Sequence, residues 1–317
     1  MKRWLVVVGS VAALALSGHA PARAAENLTV CLDDETPPFS YKEGANSGGF
    51  DLAVAQELAR HLGRPLNVQW FETSKRPEED EPAPSRAIDA LLSDGKCDLV
   101  GGVPLTTDLT AHDVEKSRLP DYDGAIKGER NRQVTLEPMA TSRSYHFLPF
   151  TVLLAPQVPA RQVRSLDDLQ GLKIGSEDTT LADAIIMMHS HRRLMRMTIH
   201  VMPGKPIEHG GGLLDRLEKG EFDATLVEMN RFDAYRKDHP DTKIQTTGYY
   251  YSIGFNMGFV ALAKNAELLH QVDQALADML AKDELAPLAK AADMTYLPPR
   301  APEVRGPVSL GDLLGNE

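Results

Sequence analysis

The chain has 317 residues, with 34 lysines and arginines against 45 aspartates and glutamates, and a formal net charge of −11. This acidic balance argues against a nucleic-acid partner, because phosphates require a basic protein surface. The length is sufficient for two domains of ordinary size, each with a core of its own.

The first 24 residues have the pattern of an export signal. A basic start, KR, precedes an apolar segment at 4–16, and the small-x-small sequence ARA at 22–24 suits a signal peptidase. The apolar segment is shorter than the roughly 20 residues that cross a bilayer. We therefore expect a signal peptide at 1–24 that is cleaved near Ala24, and a mature chain in the periplasm without membrane insertion.

The first half of the chain alternates apolar strands with amphipathic helices. In chain order, the predicted elements are a strand at 28–32, a helix at 51–62, a strand at 66–70, a charged loop at 74–84, a helix at 85–95 and a strand at 97–102. We expect Asp51 to cap the start of the first helix and Gly63 to end it. Residues 106–133 lack apolar periodicity, which predicts a long surface loop.

The second half repeats this alternation. The predicted elements are a strand at 150–156, a capped helical turn at 165–171, a strand at 172–176, a helix from 181 to about 197, a strand at 198–202, a helix at 213–220, a strand at 223–228, a strand at 253–264 and a helix at 267–280. Such alternation is typical of open α/β sheets. The last strand and helix are extra to the second unit, which indicates a chain that leaves one lobe, builds another and returns.

This order predicts an α/β protein with two lobes, built from two open mixed sheets that are joined by hinge crossovers. We assign residues 25–140 and 252–300 to a discontinuous lobe 1, residues 141–251 to lobe 2, and residues 301–317 to a C-terminal tail. Such an arrangement leaves a cleft between the lobes.

The chain has two cysteines, Cys31 and Cys97. In an oxidising compartment an isolated pair is more often a disulfide than a metal or redox site. Both residues lie in predicted strands, and a bridge is geometrically possible if those strands are parallel neighbours. We predict that the two cysteines form a disulfide.

Five segments occur in an order that is known from one family of exported proteins. They are DDETPPFSY, GGFDLAVAQELARHLG, DGKCDLVGGVPLT, SLDDLQGLKIGSEDTT and LEKGEFDATLVE. Together they resemble the periplasmic solute-binding proteins of polar amino-acid ABC importers, bacterial family 3. The resemblance implies the type II periplasmic-binding-protein fold and no enzymatic activity or cofactor. It also implies a protein that closes on a small polar solute and presents it to an ABC transporter permease.

The resemblance also implies a solute site, and ligands in open α/β sheets bind outside the carboxyl ends of the strands. Pro37 and Pro38 stiffen the loop after the first strand, whereas Asp34 and Glu35 are expected to be solvated carboxylates. Glu228 matches a position that commonly receives the ligand ammonium. The predicted ligand-binding residues are Asp33, Thr36, Phe39, Phe50, Gly102, Thr106, Thr179, Thr180 and Glu228.

The chain departs from the family at the ligand carboxylate. The family places an arginine shortly after the loop at 101–106, and Leu109 stands at that position here. Burying a carboxylate without a cation to pair with it costs free energy on the order of several kcal/mol. We therefore expect a neutral polyol-like, cationic or metal-associated partner rather than an ordinary α-amino acid. Arg118 and Arg143 are candidate substitutes for the missing arginine.

A narrower resemblance rests on the cysteines, one at the end of the first strand and one in CDLVGGVP. This pattern is similar to that of the binding-fold proteins encoded beside quinoprotein methanol dehydrogenases. It implies an alternative function, that of a periplasmic accessory or maturation partner of a PQQ-dependent alcohol dehydrogenase. A transporter permease and a quinoprotein dehydrogenase thus both remain open as the protein partner.

Other constellations favour neither catalysis nor a metal site. The methionine- and histidine-rich segment at 187–202 carries three arginines that would repel a cation, and methionines at helical spacing are mostly core filler. No GxSxG or HExxH motif is present. We predict no catalytic residue and no metal ligand.

Overall fold

The computed structural model describes residues 26–73, 84–110, 115–126, 128–129, 132–201 and 211–314. The expected signal peptide and nearly all of the charged loop at 74–84 lie outside these residues. The strands are β1 Leu28–Asp33, β2 Glu35–Thr36, β3 Ser40–Glu43, β4 Asn46–Gly48, β5 Leu66–Glu72, β6 Leu99–Pro104, β7 Lys116–Arg118, β8 Asp121–Tyr122, β9 Gln133–Thr135, β10 Met139–Leu154, β11 Ile174–Glu177, β12 Thr198–Val201, β13 Ala224–Glu228 and β14 Gln245–Leu262. The helices are α1 Phe50–Leu62, α2 Pro84–Ser93, α3 Leu181–Arg192, α4 Gly211–Glu218, α5 Met229–Asp238, α6 Ala266–Ala281, α7 Leu285–Ala291 and α8 Leu310–Leu314.

Nine strands form one mixed sheet in the order β12-β11-β13-β10-β14-β6-β1-β5-β8. The parallel strands β1, β5 and β6 lie toward one end, and the parallel strands β11, β12 and β13 lie at the other. The long antiparallel strands β10 and β14 connect them and pair from Met139 with Leu262 to Leu154 with Gln245. The α/β class is therefore confirmed. The two expected open sheets are hydrogen-bonded into one, because the crossovers are themselves long strands.

The described residues form three hydrophobic cores on the faces of this sheet. Core 1 contains apolar side chains of β1, α1, α6 and α7, and core 2 packs the opposite face of β1 and β6 against α2. Core 3 is built from apolar side chains between residues 150 and 253. Successive side chains of a strand point to opposite faces, so Val30 and Leu32 enter core 1 while Cys31 enters core 2. Within the described residues, no helix combines the length and apolar character needed to cross a membrane.

The disulfide between Cys31 and Cys97 is confirmed, with the two Cα atoms 5.6 Å apart. It joins β1 to the residues just before β6, and these two strands are parallel neighbours with Val30 opposite Leu99. Both cysteines belong to core 2. The bridge therefore covalently links β1 to the start of β6 and closes a loop of the chain that contains α1, β5 and α2.

Helix α1 begins one residue earlier than predicted, and its N-cap is Gly49 rather than Asp51. The Asp51 carboxylate is buried and accepts a hydrogen bond from Tyr145 Oη at 2.7 Å. It therefore cannot act as the predicted cap. Gly63 ends the helix in the left-handed conformation, with φ of 63°, as predicted.

The segment at 106–133 is not the uniform surface loop that we expected. Its described part contains a 3-10 helix at Thr107–Thr110 and the strands β7 and β8, which pair with β9 and β5. Strands of two or three residues are too short to show periodicity in the sequence. Helix α3 also ends before 197, at Arg192 with φ of 70°, and a separate 3-10 helix follows at Met195–Met197.

Candidate functional site

A cavity of about 370 Å³ lies where the loop after β1 and the hairpin strands β3 and β4 meet helix α5. Its size falls within the range of small-molecule sites in proteins. Helix α5 belongs to core 3 and the loop follows a strand of core 1, so the cavity joins two separately packed parts of the chain. The lining residues are Asp34, Glu35, Pro37, Tyr41, Lys42, Glu43, Asn46, Ala234, Lys237 and Asp238.

Asp34 contributes a buried atom with unused hydrogen-bonding capacity to this lining. Its Oδ1 atom has no hydrogen-bond partner among the residues that the structure describes. Desolvation raises the pKa of Asp34 to about 6, and the charges of Asp33 and Glu35 add to the effect. A buried carboxylate oxygen without a donor is costly. The Oδ1 atom of Asp34 can therefore accept a hydrogen bond from a bound group. With a pKa of about 6, the carboxyl group is largely ionised at neutral pH.

The two lysines of the cavity are already engaged. Lys42 forms an ion pair with Asp123, and Lys237 Nζ lies 4.9 Å from the centre of the Tyr41 ring. The cavity lining also contains four acidic residues. The balance of charge around the cavity therefore favours a solute that carries a positive group.

Asp33 organises the loop. Its Oδ1 accepts a hydrogen bond from the Glu35 backbone N–H at 2.8 Å, and its Oδ2 accepts one from Thr73 Oγ1. Burial raises the pKa of Asp33, and these hydrogen bonds oppose that rise. Thr36 is exposed, and its Oγ1 lies 3.1 Å from Ser40 Oγ. Neither side chain lines the cavity.

Phe39 and Phe50 are packed in core 1 and do not form a wall that faces a solute. Both rings contact the His146 ring edge-on, at centroid distances of 5.9 and 5.7 Å, and Tyr296 stacks on the same imidazole. Burial lowers the pKa of His146 to about 4, so the imidazole is neutral at physiological pH. We did not predict His146, because a histidine in an apolar strand carries no sequence signal of its position.

Gly102 was predicted to bind the solute, but its backbone N–H already donates a hydrogen bond within the protein. This N–H donates to Tyr145 Oη at 2.9 Å, and Tyr145 Oη donates to Asp51 Oδ1. Burial raises the pKa of Asp51 to about 7, and the hydrogen bond from Tyr145 opposes the rise. The buried chain of hydrogen bonds from Asp51 through Tyr145 to Gly102 therefore fixes the C-terminal part of β6.

Thr106 lies against the C-terminal tail. It forms a parallel bridge with Arg305, whose N–H donates to the Leu105 carbonyl at 2.9 Å and whose carbonyl accepts from the Thr107 N–H at 2.9 Å. Asn256 anchors the same tail, because its Nδ2 donates to the carbonyls of residues 300, 302 and 303. The backbone next to Thr106, at Leu105 and Thr107, is thus hydrogen-bonded by the chain's own tail.

The tail continues from this loop to the other part of the molecule. Val308 and Leu313 pack against core 3, and the Asp312 carbonyl accepts a hydrogen bond from Tyr251 Oη at 3.3 Å. Leu109, at the position of the expected arginine, is buried in core 2. The fold brings Arg305 beside Thr106, and the sequence gives no sign of this contact because the two residues lie far apart in the chain.

Thr180 caps helix α3. Its Oγ1 accepts from the Asp183 N–H at 3.1 Å and donates to the Glu177 carbonyl at 2.8 Å. Thr179 adopts a φ of 67°, and its N–H donates to Asp178 Oδ1 at 3.1 Å. The Thr180 hydroxyl therefore donates its hydrogen to the Glu177 carbonyl and not to a solute.

Glu228 ends β13 and immediately precedes α5. Burial raises the pKa of Glu228, and the charge of Arg231 opposes the rise. Arg231 is itself ion-paired with Glu177. The structure thus places Glu228 in a buried charged group at the start of α5, whereas the cavity is lined by the end of this helix.

No known family profile matches the chain. An uncharacterised protein in the cycB 3′ region of Paracoccus denitrificans is 36% identical over 80 residues, which are 25% of this chain and 92% of that protein. Because this relative is uncharacterised, it assigns neither an importer nor a dehydrogenase as partner.

Several solved structures are similar over most of the chain. The L-cystine solute receptor of Neisseria gonorrhoeae has a TM-score of 0.59 at 17% identity, with 87% of this chain and 96% of the receptor covered. Substrate binding domain 2 of Lactococcus lactis GlnP has a TM-score of 0.59 at 14% identity, with 86% and 96% covered. The second substrate binding domain of a putative amino acid ABC transporter from Streptococcus pneumoniae has a TM-score of 0.58 at 16% identity. The similarity covers 83% of this chain and 98% of that domain.

At these identities the structural likeness establishes the fold, and the sequence match establishes kinship with the short Paracoccus protein. The chain therefore belongs to the same family as the uncharacterised cycB-region protein of Paracoccus denitrificans and has the type II periplasmic-binding-protein fold.

Proposed function

We propose that the protein is a periplasmic solute-binding protein that takes a small polar solute with a positively charged group and presents it to an ABC importer. The observation that carries this proposal is the buried Oδ1 of Asp34, which lines a cavity of about 370 Å³ and has no partner within the described ranges. The fold supports it, because the similar solved structures include a solute receptor and substrate-binding domains.

The chemistry of the cavity favours a cation over an anion. An ammonium or guanidinium group can donate to Asp34 and be attracted by the other carboxylates of the lining. Each of the two lysines that could attract an anion has an internal contact, with Asp123 or with the Tyr41 ring. The buried Leu109 supplies no cation for a carboxylate. A carboxylate on the solute would therefore find no cation at Leu109.

The proposal includes two lobes, 25–140 with 252–300 and 141–251, that close by bending the long strands β10 and β14. One hydrogen-bonded contact supports such closure. Asp233 in α5 accepts from the Thr295 N–H at 2.7 Å and from Thr295 Oγ1 at 2.9 Å. This contact holds α5, one wall of the cavity, against residues that follow α7 and belong to lobe 1.

Replacing Asp34 with asparagine lowers the affinity for a cationic solute at least tenfold, about 1.4 kcal/mol, because the amide lacks the negative charge. In the unaltered protein the affinity falls as the pH drops through about 6, since Asp34 then becomes protonated and neutral. Isothermal titration calorimetry measures both effects, with a panel of diamines, basic amino acids, quaternary ammonium compounds and polyols.

The matched control is Glu43→Gln, which removes the same charge from an exposed position on the lining of the same cavity. We expect this variant to lose less than half as much binding free energy as Asp34→Asn. If Asp34→Asn binds the same compounds as tightly as the unaltered protein, the cavity is not the solute site.

A further inference from the structure

Two carboxylates and one imidazole meet at the start of helix α3, away from the lining of the solute cavity. Asp178 follows β11, Asp183 lies in the first turn of α3, and His200 lies in β12. One potential ligand atom of each residue lies within 4.8 Å of those of the other two. Oxygen and imidazole nitrogen together are ligands that suit borderline divalent ions such as Zn²⁺.

The backbone fixes the relative positions of these three residues. Strands β11 and β12 pair in parallel, with Ser176 opposite His200, and the Asp178 N–H donates to the Val201 carbonyl at 3.0 Å. The Asp183 N–H is held by the Thr180 cap at 3.1 Å. The three side chains therefore start from a rigid frame made of two strands and a capped helix.

The hydrogen bonding of Asp183 gives a second reason to expect a ligand at this cluster. Its Oδ1 atom is buried and has no hydrogen-bond partner in the described part of the chain, although His200 Nδ1 lies 3.2 Å away. Two ligands of one tetrahedral Zn²⁺, with bonds of about 2.0 to 2.1 Å, lie about 3.3 Å from each other. The separation of this oxygen and this nitrogen therefore matches that of two atoms bound to the same ion.

A second cluster of the same composition lies elsewhere in the chain and differs in one respect. Glu57, His61 and Glu284 also bring their ligand atoms within 4.8 Å of one another. Their atoms are satisfied, because His61 Nε2 lies 2.8 Å from Glu284 Oε2 and Glu57 Oε1 accepts from Arg60 Nε at 2.8 Å. A cation at this cluster would have to displace the Arg60 guanidinium.

We propose that Asp178, Asp183 and His200 form a binding site for a divalent transition-metal ion of the Zn²⁺ class. One carboxylate oxygen from each aspartate and Nδ1 of His200 supply three ligands, and the exposed side of His200 leaves room for water as the fourth. The site is independent of the solute cavity, because none of its residues lines that cavity. Asp178 immediately precedes Thr179 and Thr180, which the sequence predicted to bind the solute, and Asp183 lies three residues after them.

The test is calorimetric titration of the purified, chelator-treated protein with Zn²⁺. We expect one ion per chain, and we expect Asp183→Asn and His200→Gln each to weaken binding about tenfold or more. Asp183→Asn keeps the shape of the side chain, and His200 is 41% exposed on an edge strand, so at least the second variant should fold normally. Circular dichroism and the Tm without metal check the fold of both.

Glu57→Gln serves as the matched control, because it removes one carboxylate from the satisfied cluster, and we expect it to leave the Zn²⁺ affinity unchanged. Three results would overturn the proposal. They are the absence of Zn²⁺ binding to the unaltered protein, unchanged affinity in both Asp183→Asn and His200→Gln, and loss of binding in Glu57→Gln. Substituting Co²⁺ gives a visible spectrum that reports the coordination geometry directly.

Discussion

Replacing Cys31 and Cys97 together with alanine lowers the free energy of unfolding by about 4 kcal/mol. The two cysteines are 66 positions apart in the sequence, and in the chain-entropy account a cross-link over a loop of this length stabilises by about that amount. The effect is large because the bridge spans α1, β5 and α2, so the unfolded chain regains the freedom of much of its N-terminal half.

The measurement is equilibrium unfolding in urea, followed by the fluorescence of Trp70, which is buried in β5 and lies opposite Leu32 of β1. The unaltered protein in a reducing buffer is the control, because it loses the bond but keeps both sulfur atoms. Equal losses in the two experiments assign the effect to the bond. A loss below about 1 kcal/mol in both would mean that folding hardly depends on this cross-link.

Gly102→Ala is expected to cost about 3 kcal/mol through two additive causes. Gly102 has a φ of 70°, where an alanine is strained by about 1 to 2 kcal/mol. A Cβ atom there would also lie less than 3.0 Å from Asp51 Oδ2, and forcing extra atoms into a packed site costs about 1 to 3 kcal/mol. Asp51 has little freedom to yield, because it is buried and bonded to Tyr145.

Gly95→Ala separates the two causes. Gly95 has nearly the same φ, 69°, but no other described residue, its two chain neighbours aside, has an atom within 4 Å of the position that its Cβ would occupy. We expect this control to lose only the conformational part, about 1 to 2 kcal/mol. Equal losses in the two variants, measured by urea unfolding, would show that the Asp51 carboxylate moves aside freely and does not hold the C-terminal part of β6.

The strands and helices that could be predicted are those whose periodicity extends over a full turn or several alternations. The helix that ends at Gly63 and the capped turn at 165–171 are examples, and the latter has a capping box between Ser165 and Asp168. Helix α5 was missed because its ten residues, MNRFDAYRKD, are mostly polar. Its apolar positions, such as Phe232 and Tyr235, become evident only when core 3 is seen to cover them.

The candidate site shows the same limit at the scale of single residues. Asp33 and Asp34 are adjacent acids at the end of β1, and the sequence predicted that Asp33 binds the solute. In the structure Thr73 and the Glu35 N–H draw the Asp33 carboxylate into the loop, which leaves Asp34 to line the cavity. Which of two neighbouring side chains faces a cavity depends on hydrogen-bond partners from other parts of the chain. Such partners cannot be predicted from the local sequence pattern.

The sequence by itself determined the α/β class, the pairing of Cys31 with Cys97 and the positions of the regularly patterned elements, because each of these follows from local periodicity or from having only one possible partner. The tertiary structure alone decided that Arg305 lies beside Thr106, that Gly102 donates to Tyr145 and that α5 forms a wall of the cavity. These contacts join residues far apart in the chain. They exist because β10 and β14 lie at the centre of the sheet and connect the parallel strands on one side to those on the other.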